Sequence, residues 1–582
     1  MILDRVNLPE DLRNLSIDEM IKLAGEMREI IIKKVNATGG HFGPNLGIVE
    51  ASIALHYVFD CPKDKFVFDV SHQCYPHKIL TGRKEGFLNP EKYHKYTGYT
   101  APEEGEWDLF KVGHTSTSVS LAAGVAKARD LKGENYNVIA LIGDGSLSGG
   151  EAFEGLNNAS APGTNIIVVV NDNDQSIAEN HGGLYANLKE LRENDGNCKN
   201  NFFEALGFEY YFVKEGNNIK DLIETFQKVK DINHPVVVHI CTQKGKGWKD
   251  AEINKEAFHW ILPHTLDENK TETKISESYA SVTNEFILSK AKDDKTLIAV
   301  NAGTPGVFGW DSEFRRKLGN QYTDVGIAEE HACAYSSALA KNGAKPIWAV
   351  MSSFIQRTYD QLSQDMALNN SPLTILVYWG GISGADATHL CTFDIPLLKN
   401  IPNLVYLAPA NKEEYLTMLK YSVEQKEHPV AIRVPNTELV STGIEDLTDY
   451  SVLNKYKVAE SGEEIAILGA GNFYGLAEDL TQKIKSKYGF NPTLINPRFL
   501  TGVDNELMDG LKEKHKLVIT LEDGLLDGGF GEMISRFYGS SDIKVLNYGS
   551  KKEFTDRTPL NELLTRYRLK SDLILEDIER IF

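Results

Sequence analysis

Short runs of Ile, Val and Leu recur along the whole chain, each bounded by glycine or polar residues and separated from the next by stretches of helical spacing. In the first part Val138–Ile142, Asn165–Val170 and Pro235–Ile240 predict buried strands, and Leu147–Ala159 predicts a helix between the first two. In a second part Leu297–Val300, Pro346–Val350, Leu373–Val377 and a run closing near Pro435 repeat the pattern. Ile465–Gly471 and Leu517–Leu521 are the clearest strands of a third. Strand–helix alternation of this kind predicts an α/β fold of three doubly wound, mostly parallel-sheet domains, at 1–279, 280–450 and 451–582. Two polar stretches without apolar periodicity, Asp267–Ser278 and Asn436–Tyr450, read as the linkers.

The ends of two strands carry chemistry. The strand at Val138 runs into Gly143-Asp144-Gly145, and the strand at Asn165 runs into Asn171-Asp172-Asn173. In a parallel sheet both carboxyl ends point the same way, where open α/β folds bind ligands. Asp144 and Asn173 then offer hard oxygen ligands to one Mg²⁺, with substrate phosphates completing the octahedron. Gly143 and Gly145 let the backbone approach a diphosphate closely, and the following helix N-terminus favours its charge. The glycines at Gly469 and Gly471 lack the third glycine of a dinucleotide fingerprint, and no acidic residue closes a strand at the expected distance.

Charge and composition narrow the partners. A formal net charge of −20 on 582 residues argues against nucleic acid or an anionic membrane surface as partner. No apolar run approaches the length of a membrane span. The 6 cysteines are scattered without metal-ligand spacing, as reduced thiols would be. Met1–Asp11 has neither a signal-peptide core nor a basic, Ser-rich leader, so the cytoplasm is the expected location.

The Gly-Asp-Gly and Asn-Asp-Asn pair resembles the thiamine-diphosphate motif of transketolase-like enzymes. A more specific resemblance, to the 1-deoxy-D-xylulose-5-phosphate synthase family, is carried by Gly39–Gly47, Phe68–Arg83, Gly113–Ser118, Ala328–His331, Gln356–Gln361 and Asn496–Phe499. It covers nearly the whole chain and implies thiamine diphosphate and Mg²⁺ as cofactors, with the carbonyl of Gln175 joining Asp144 and Asn173 on the metal. By the same resemblance His72, Gly113, His114, Thr115, Gly145, Ser146, Asn173, Trp248, Phe354 and Arg357 touch the cofactor. Glu329 is expected to hydrogen-bond its aminopyrimidine ring, and burial would let that carboxyl keep a proton. Phe354 would stack on the same ring. His41, His72 and His259 are implied as proton carriers, and Asp386, His389 and Arg433 as substrate-binding residues.

The implied reaction is a decarboxylative condensation of pyruvate with D-glyceraldehyde 3-phosphate, catalysed by a homodimer. A related ketol or acyloin transferase using a different aldehyde stays open at this point, because the acceptor motifs depart from the family pattern. Trp379, in Tyr378-Trp379-Gly380-Gly381, stands where an arginine is usual, and Met351 stands where a tyrosine is usual. The loop Gly384–His389 is one residue shorter than expected. Arg433 keeps the place of another phosphate-binding arginine. Loss of one charge-assisted hydrogen bond is worth about 1.5–3 kcal/mol, or roughly a ten- to hundredfold change in acceptor affinity.

Overall fold

A computed structural model describes residues 1–160, 164–267 and 277–581, so most of the first predicted linker lies outside the described residues. The chain divides into two compact units, residues 1–274 with 326–328, and residues 275–325 with 329–582.

The first unit is built on a five-stranded parallel sheet of β1 (Lys65–Phe68), β2 (Val138–Gly143), β3 (Ile167–Asp172), β4 (Glu209–Val213) and β5 (Val236–Cys241), in the order β1-β2-β3-β5-β4. Period-two alternation divides its apolar residues between two cores. Ile139 and Leu141 of β2 join a core with α1 (Ile17–Thr38), α2 (Val49–Val58) and α5 (Ile219–Val229). Val138, Ala140 and Ile142 join another with α3 (Ser118–Lys132) and α4 (Gly150–Ala159). Burial on both faces is why the central strands read as unbroken β-branched runs instead of alternating ones.

The second unit holds two sheets. The first comprises β6 (Leu297–Asn301), β7 (Tyr322–Asp324), β8 (Lys345–Met351), β9 (Thr374–Tyr378), β10 (Val405–Leu407) and β11 (Val430–Val434), all parallel, in the order β10-β11-β9-β8-β6-β7. Helices α6 (Tyr279–Asp293), α7 (Glu329–Lys341) and α8 (Lys412–Glu424) accompany it. The other comprises β12 (Lys457–Glu460), β13 (Glu464–Gly469), β14 (Thr493–Asn496), β15 (His515–Leu525) and β16 (Lys544–Ser550), in the order β12-β14-β13-β15-β16. Only its edge strand β12 is antiparallel. One continuous core runs from Tyr279 and Val300 through Val350 and Ile432 to Leu468, Val518 and Phe530. That shared core makes one unit of the two later predicted segments.

Two boundaries differ from the sequence reading. Strand β3 extends through Asn171 and Asp172, because both backbones stay paired with Ile240 and Cys241 of β5. The helix expected from Leu147 starts at Gly150, after a tighter 3₁₀ turn over Asp144–Ser148 in which the Ser148 hydroxyl donates back to the Gly145 carbonyl (3.0 Å). Among the described residues no helix is long and apolar enough to cross a membrane.

Candidate active site

The carboxyl ends of β2 and β3 in the first unit present two buried carboxylates with different surroundings. Asp172 Oδ2 accepts from Arg192 (2.6 Å) and pairs with His239 Nε2 (2.9 Å), while its Oδ1 accepts the Asp174 N–H (3.0 Å). Burial pushes Asp172 up, but His239 and Arg192 outweigh it and hold the carboxyl low. Asp144 has weaker help, from the Gln175 N–H (3.0 Å) and the Asn180 amide (2.8 Å) on one oxygen. Burial, and then the charge of Asp172, push Asp144 up to about 7. Nearby, Asn173 Oδ1 is buried without a hydrogen-bond partner among the described residues. A buried carboxylate short of positive charge beside an orphaned amide oxygen is the donor set a divalent cation satisfies. Cys241 lies with Asp172 and His239, their ligand atoms all within 4.8 Å. The Arg192 and His239 bonds already occupy that carboxylate, so this trio reads as a hydrogen-bonded network.

A cradle surrounds Asp144. Asp69, just past β1, is buried and accepts the N–H groups of Ser116 (2.8 Å) and Ser118 (3.0 Å), folding the Gly113–Ser118 loop over the sheet edge. Ser116 Oγ then donates to the Ser146 carbonyl (2.8 Å), tying that loop to the turn after β2. Gly113 is buried here and His114 and Thr115 partly so. The backbone must pass close: a Cβ on Gly145 would meet Ser176 Oγ at 2.7 Å, and one on Gly149 would collide with Ser116 Oγ. Tyr185 Oη donates to the Asp144 and Gly145 carbonyls (3.1 and 3.2 Å), fixing the turn from outside. Lys244 is buried, donates to the Ser176 carbonyl (2.5 Å), and is pushed down by burial to about 7. The site therefore fits a diphosphate held through a divalent cation.

Three of the predicted histidines converge. His41 lies 5.0 Å from His72 and 5.5 Å from His259, and His72 and His259 lie 5.5 Å apart (ring centroids). Their backbones explain the convergence. A two-residue antiparallel ribbon pairs His41 with Trp260, and Phe42 N–H donates to the His259 carbonyl (3.1 Å). Asn45, fully buried, donates to the carbonyls of both His41 (2.9 Å) and His72 (2.8 Å). Val70 and Ser71, immediately before His72, both take left-handed backbone angles (φ 56° and 61°). A β-branched residue there is strained. The turn is held by Ser71 Oγ, which donates to the Val112 carbonyl (2.6 Å) and accepts the Thr100 N–H (3.0 Å). His259 Nδ1 has no hydrogen-bond partner among the described residues. Burial, then Lys244, His72 and His41, drive its pKa well below the usual value, so it is neutral. Trp248 packs edge-on against Phe42 (6.1 Å), next to His41 in sequence.

In the second unit Glu329 is the first residue of α7 and is 2% exposed. Burial raises its pKa, with Arg357 Nη1 at 3.5 Å opposing. The residues just before it, Gly326–Ala328, belong to the first unit, where Ser148 Oγ accepts the Ile327 N–H (2.9 Å). Phe354 lies edge-on to His389, centroids 5.8 Å apart. Asp386 accepts from the Thr388 N–H and hydroxyl (3.0 and 2.9 Å), and that hydroxyl also meets His389 Nδ1 (2.9 Å). Met351 ends β8, buried, and Trp379 follows β9, 44% exposed and left-handed (φ 63°).

Arg433, expected to bind substrate phosphate, is engaged by buried carboxylates in this structure. Its side chain is 4% exposed, and its Nε donates to Asp394 Oδ2 (2.6 Å) while Nη1 reaches Asp523. Tyr406 Oη donates to the same Asp394 oxygen (2.5 Å), and Asn472 donates to Asp523 (2.8 Å). The guanidinium is spent on two buried carboxylates. The sequence reading also missed Asn45, Asp69, Asn180, Tyr185 and Lys244. Lys244 alone had a local signal, in the glycine-flanked Lys244-Gly245-Lys246-Gly247 after a strand.

Residues 3–199 and 195–242 match the family model described as 1-deoxy-D-xylulose-5-phosphate synthase. Residues 277–441 match the transketolase pyrimidine-binding domain, and 454–574 the transketolase C-terminal domain. A 1-deoxy-D-xylulose-5-phosphate synthase of Syntrophomonas wolfei is 36% identical, covering 99% of this chain and 96% of its own. Those of Carboxydothermus hydrogenoformans (37%; 98% and 97%) and Clostridium tetani (35%; 100% and 99%) are similar over the same extent.

Proposed function

The chain belongs to the 1-deoxy-D-xylulose-5-phosphate synthase family, and from that premise we propose that it condenses pyruvate with D-glyceraldehyde 3-phosphate, releasing CO₂ and 1-deoxy-D-xylulose 5-phosphate. The supporting observation is the convergence of His41, His72 and His259 within 5.5 Å in the unit that also carries the Asp144–Asn173 cradle. Thiamine diphosphate, when bound, supplies an electron sink for a carbanion beside a carbonyl.

The residues divide the remaining work. Asp144, Asn173 and the Gln175 carbonyl hold Mg²⁺. The Gly113–Thr115 loop, Gly145, Ser146, Lys244, His72 and Trp248 hold the diphosphate end, and Phe354 and Arg357 the pyrimidine end. Glu329 keeps a proton at its carboxyl because burial disfavours its charged form. His41, His72 and His259 carry the proton transfers that release the product. Asp386 and His389 orient the acceptor, while Arg433 serves the fold. The same reading makes the enzyme a cytoplasmic homodimer. All 6 cysteines are free thiols, consistent with a reducing compartment.

Mass-spectrometric product identification tests the reaction, using purified protein with Mg²⁺, thiamine diphosphate, pyruvate and glyceraldehyde 3-phosphate. A five-carbon deoxyketose phosphate formed at ordinary enzymatic rates is expected, and CO₂ release with no such product would refute the acceptor. Glu329→Ala should lower kcat by about 10²–10⁴, and undiminished turnover would sink the mechanism.

A further inference from the structure

Beneath the histidine cluster lies a second, fully buried pair of imidazoles that the mechanism does not use. His56 Nδ1 meets the Ser52 carbonyl at 2.8 Å, His56 Nε2 meets His77 Nδ1 at 2.9 Å, and His77 Nε2 meets Asp108 Oδ1 at 2.8 Å. Each contact needs one proton. The carbonyl can only accept. Asp108 accepts as well, because it is ionised: burial works against its charge, but His77 and Arg83, which donates to both oxygens (2.6 and 3.0 Å), hold the carboxyl far below its usual range, and the Ala101 N–H donates to Oδ2 (2.8 Å). Three protons must therefore sit on the four ring nitrogens of two imidazoles, one more than two neutral rings carry.

We propose that His56 and His77 share one excess proton, forming a buried monocation that clamps Asp108 and so positions the segment under the histidine cluster. Asp108 anchors that segment: Ala101 is bonded to it directly, Thr100 and Val112 hold the turn before His72, and the ring of Tyr99 stands 5.8 Å from His41. The other titratable groups facing the pair are Arg83, Lys78, Glu104, Cys61 and Cys74. Lys78 pairs with Glu104 (2.6 Å), and burial keeps both thiols neutral by pushing them to about 12. Burial between Phe66 and Phe68 opposes charge on both imidazoles, pushing His56 down to about 3 and His77 below its usual value despite Asp108. Without the extra proton, however, two lone pairs would face each other at hydrogen-bond distance. Sharing spreads the charge over two rings beside a carboxylate, which makes it tolerable.

The positioning role rests on the proposed function of the cluster; the proton count does not. Nitrogen-15 histidine NMR on the full chain at pH 7.5 reads the count, with the two rings identified by their contacts to Phe66 and Phe68. Three protonated nitrogens and one bare nitrogen are expected, and two of each would overturn the shared proton. Asp108→Asn keeps the shape and removes the anion, so the count should fall to two. In that variant kcat should fall about ten- to a hundredfold with the KM for pyruvate unchanged. A kcat within twofold of the wild type would overturn the positioning role while leaving the wild-type proton count to stand or fall alone.

Discussion

The Asp144 cradle of the first unit and the Arg433 cluster of the second are both buried, charged and placed at strand ends, yet their hydrogen-bond ledgers differ. Arg433 is matched on both sides by Asp394 and Asp523, and those carboxylates are matched in turn by Tyr406 and Asn472. The cradle is left open: Asn173 Oδ1 and His259 Nδ1 lack partners among the described residues, and Asp144 is pushed up to about 7. A buried polar group without a partner costs about 1–3 kcal/mol, so a fold that keeps several together needs a ligand to offset them. Residue type and strand-end position alone do not separate a binding site from a structural pair. Satisfaction does.

The largest effect expected in the matched cluster is on stability. Arg433→Met leaves two carboxylates uncompensated and should cost about 3–5 kcal/mol by denaturant unfolding. The KM for glyceraldehyde 3-phosphate of the folded fraction should stay unchanged, and a large rise in KM would return Arg433 to the acceptor site.

Next to it, Glu522 is fully buried, accepts the Phe530 and Gly531 N–H groups at the start of the helix Phe530–Tyr538, and is raised by burial to about 7. An acid whose pKa rises on folding binds its proton more tightly in the native state. The native state is therefore favoured at low pH and loses that advantage as pH climbs from 4.5 to about 7. Glu522→Gln should flatten this part of the stability profile, by up to about 3 kcal/mol. An unchanged slope would show that Glu522 is not its source.

In the open cradle the effect comes from the ligand. Mg²⁺ with thiamine diphosphate at about a hundred times Kd should stabilise the protein by about 2.7 kcal/mol, and a chelator should remove it. No change in Tm on chelation would contradict the metal assignment. The smallest effect is on the acceptor: Trp379→Arg should lower the KM for glyceraldehyde 3-phosphate by about tenfold, one charge-assisted hydrogen bond. An unchanged KM makes that residue irrelevant to the phosphate.

The parts of this picture that were legible in the sequence are those that depend on local pattern. Val138–Gly143 forms its strand where the β-branched run placed it, and Asp144 and Asn173 follow two neighbouring parallel strands. The three histidines were found by resemblance, since no periodicity links His41, His72 and His259; Asn45 and a two-residue ribbon gather them. Asp69, Asn180 and Tyr185 were invisible because each acts across a loop on residues 36–49 positions away. Arg433 was assigned from its place in the family pattern. Its strand end was right, but its neutralising partners lie 39 and 90 residues away.

The most direct test of the account is calorimetric titration of thiamine diphosphate in the presence of Mg²⁺ into the wild-type protein, Asp144→Asn and Arg433→Met. The account expects saturable binding to the wild type and to folded Arg433→Met, with Asp144→Asn weakened at least about a hundredfold, or about 2.7 kcal/mol. Wild-type affinity in Asp144→Asn would contradict the claim that the open cradle is the cofactor site.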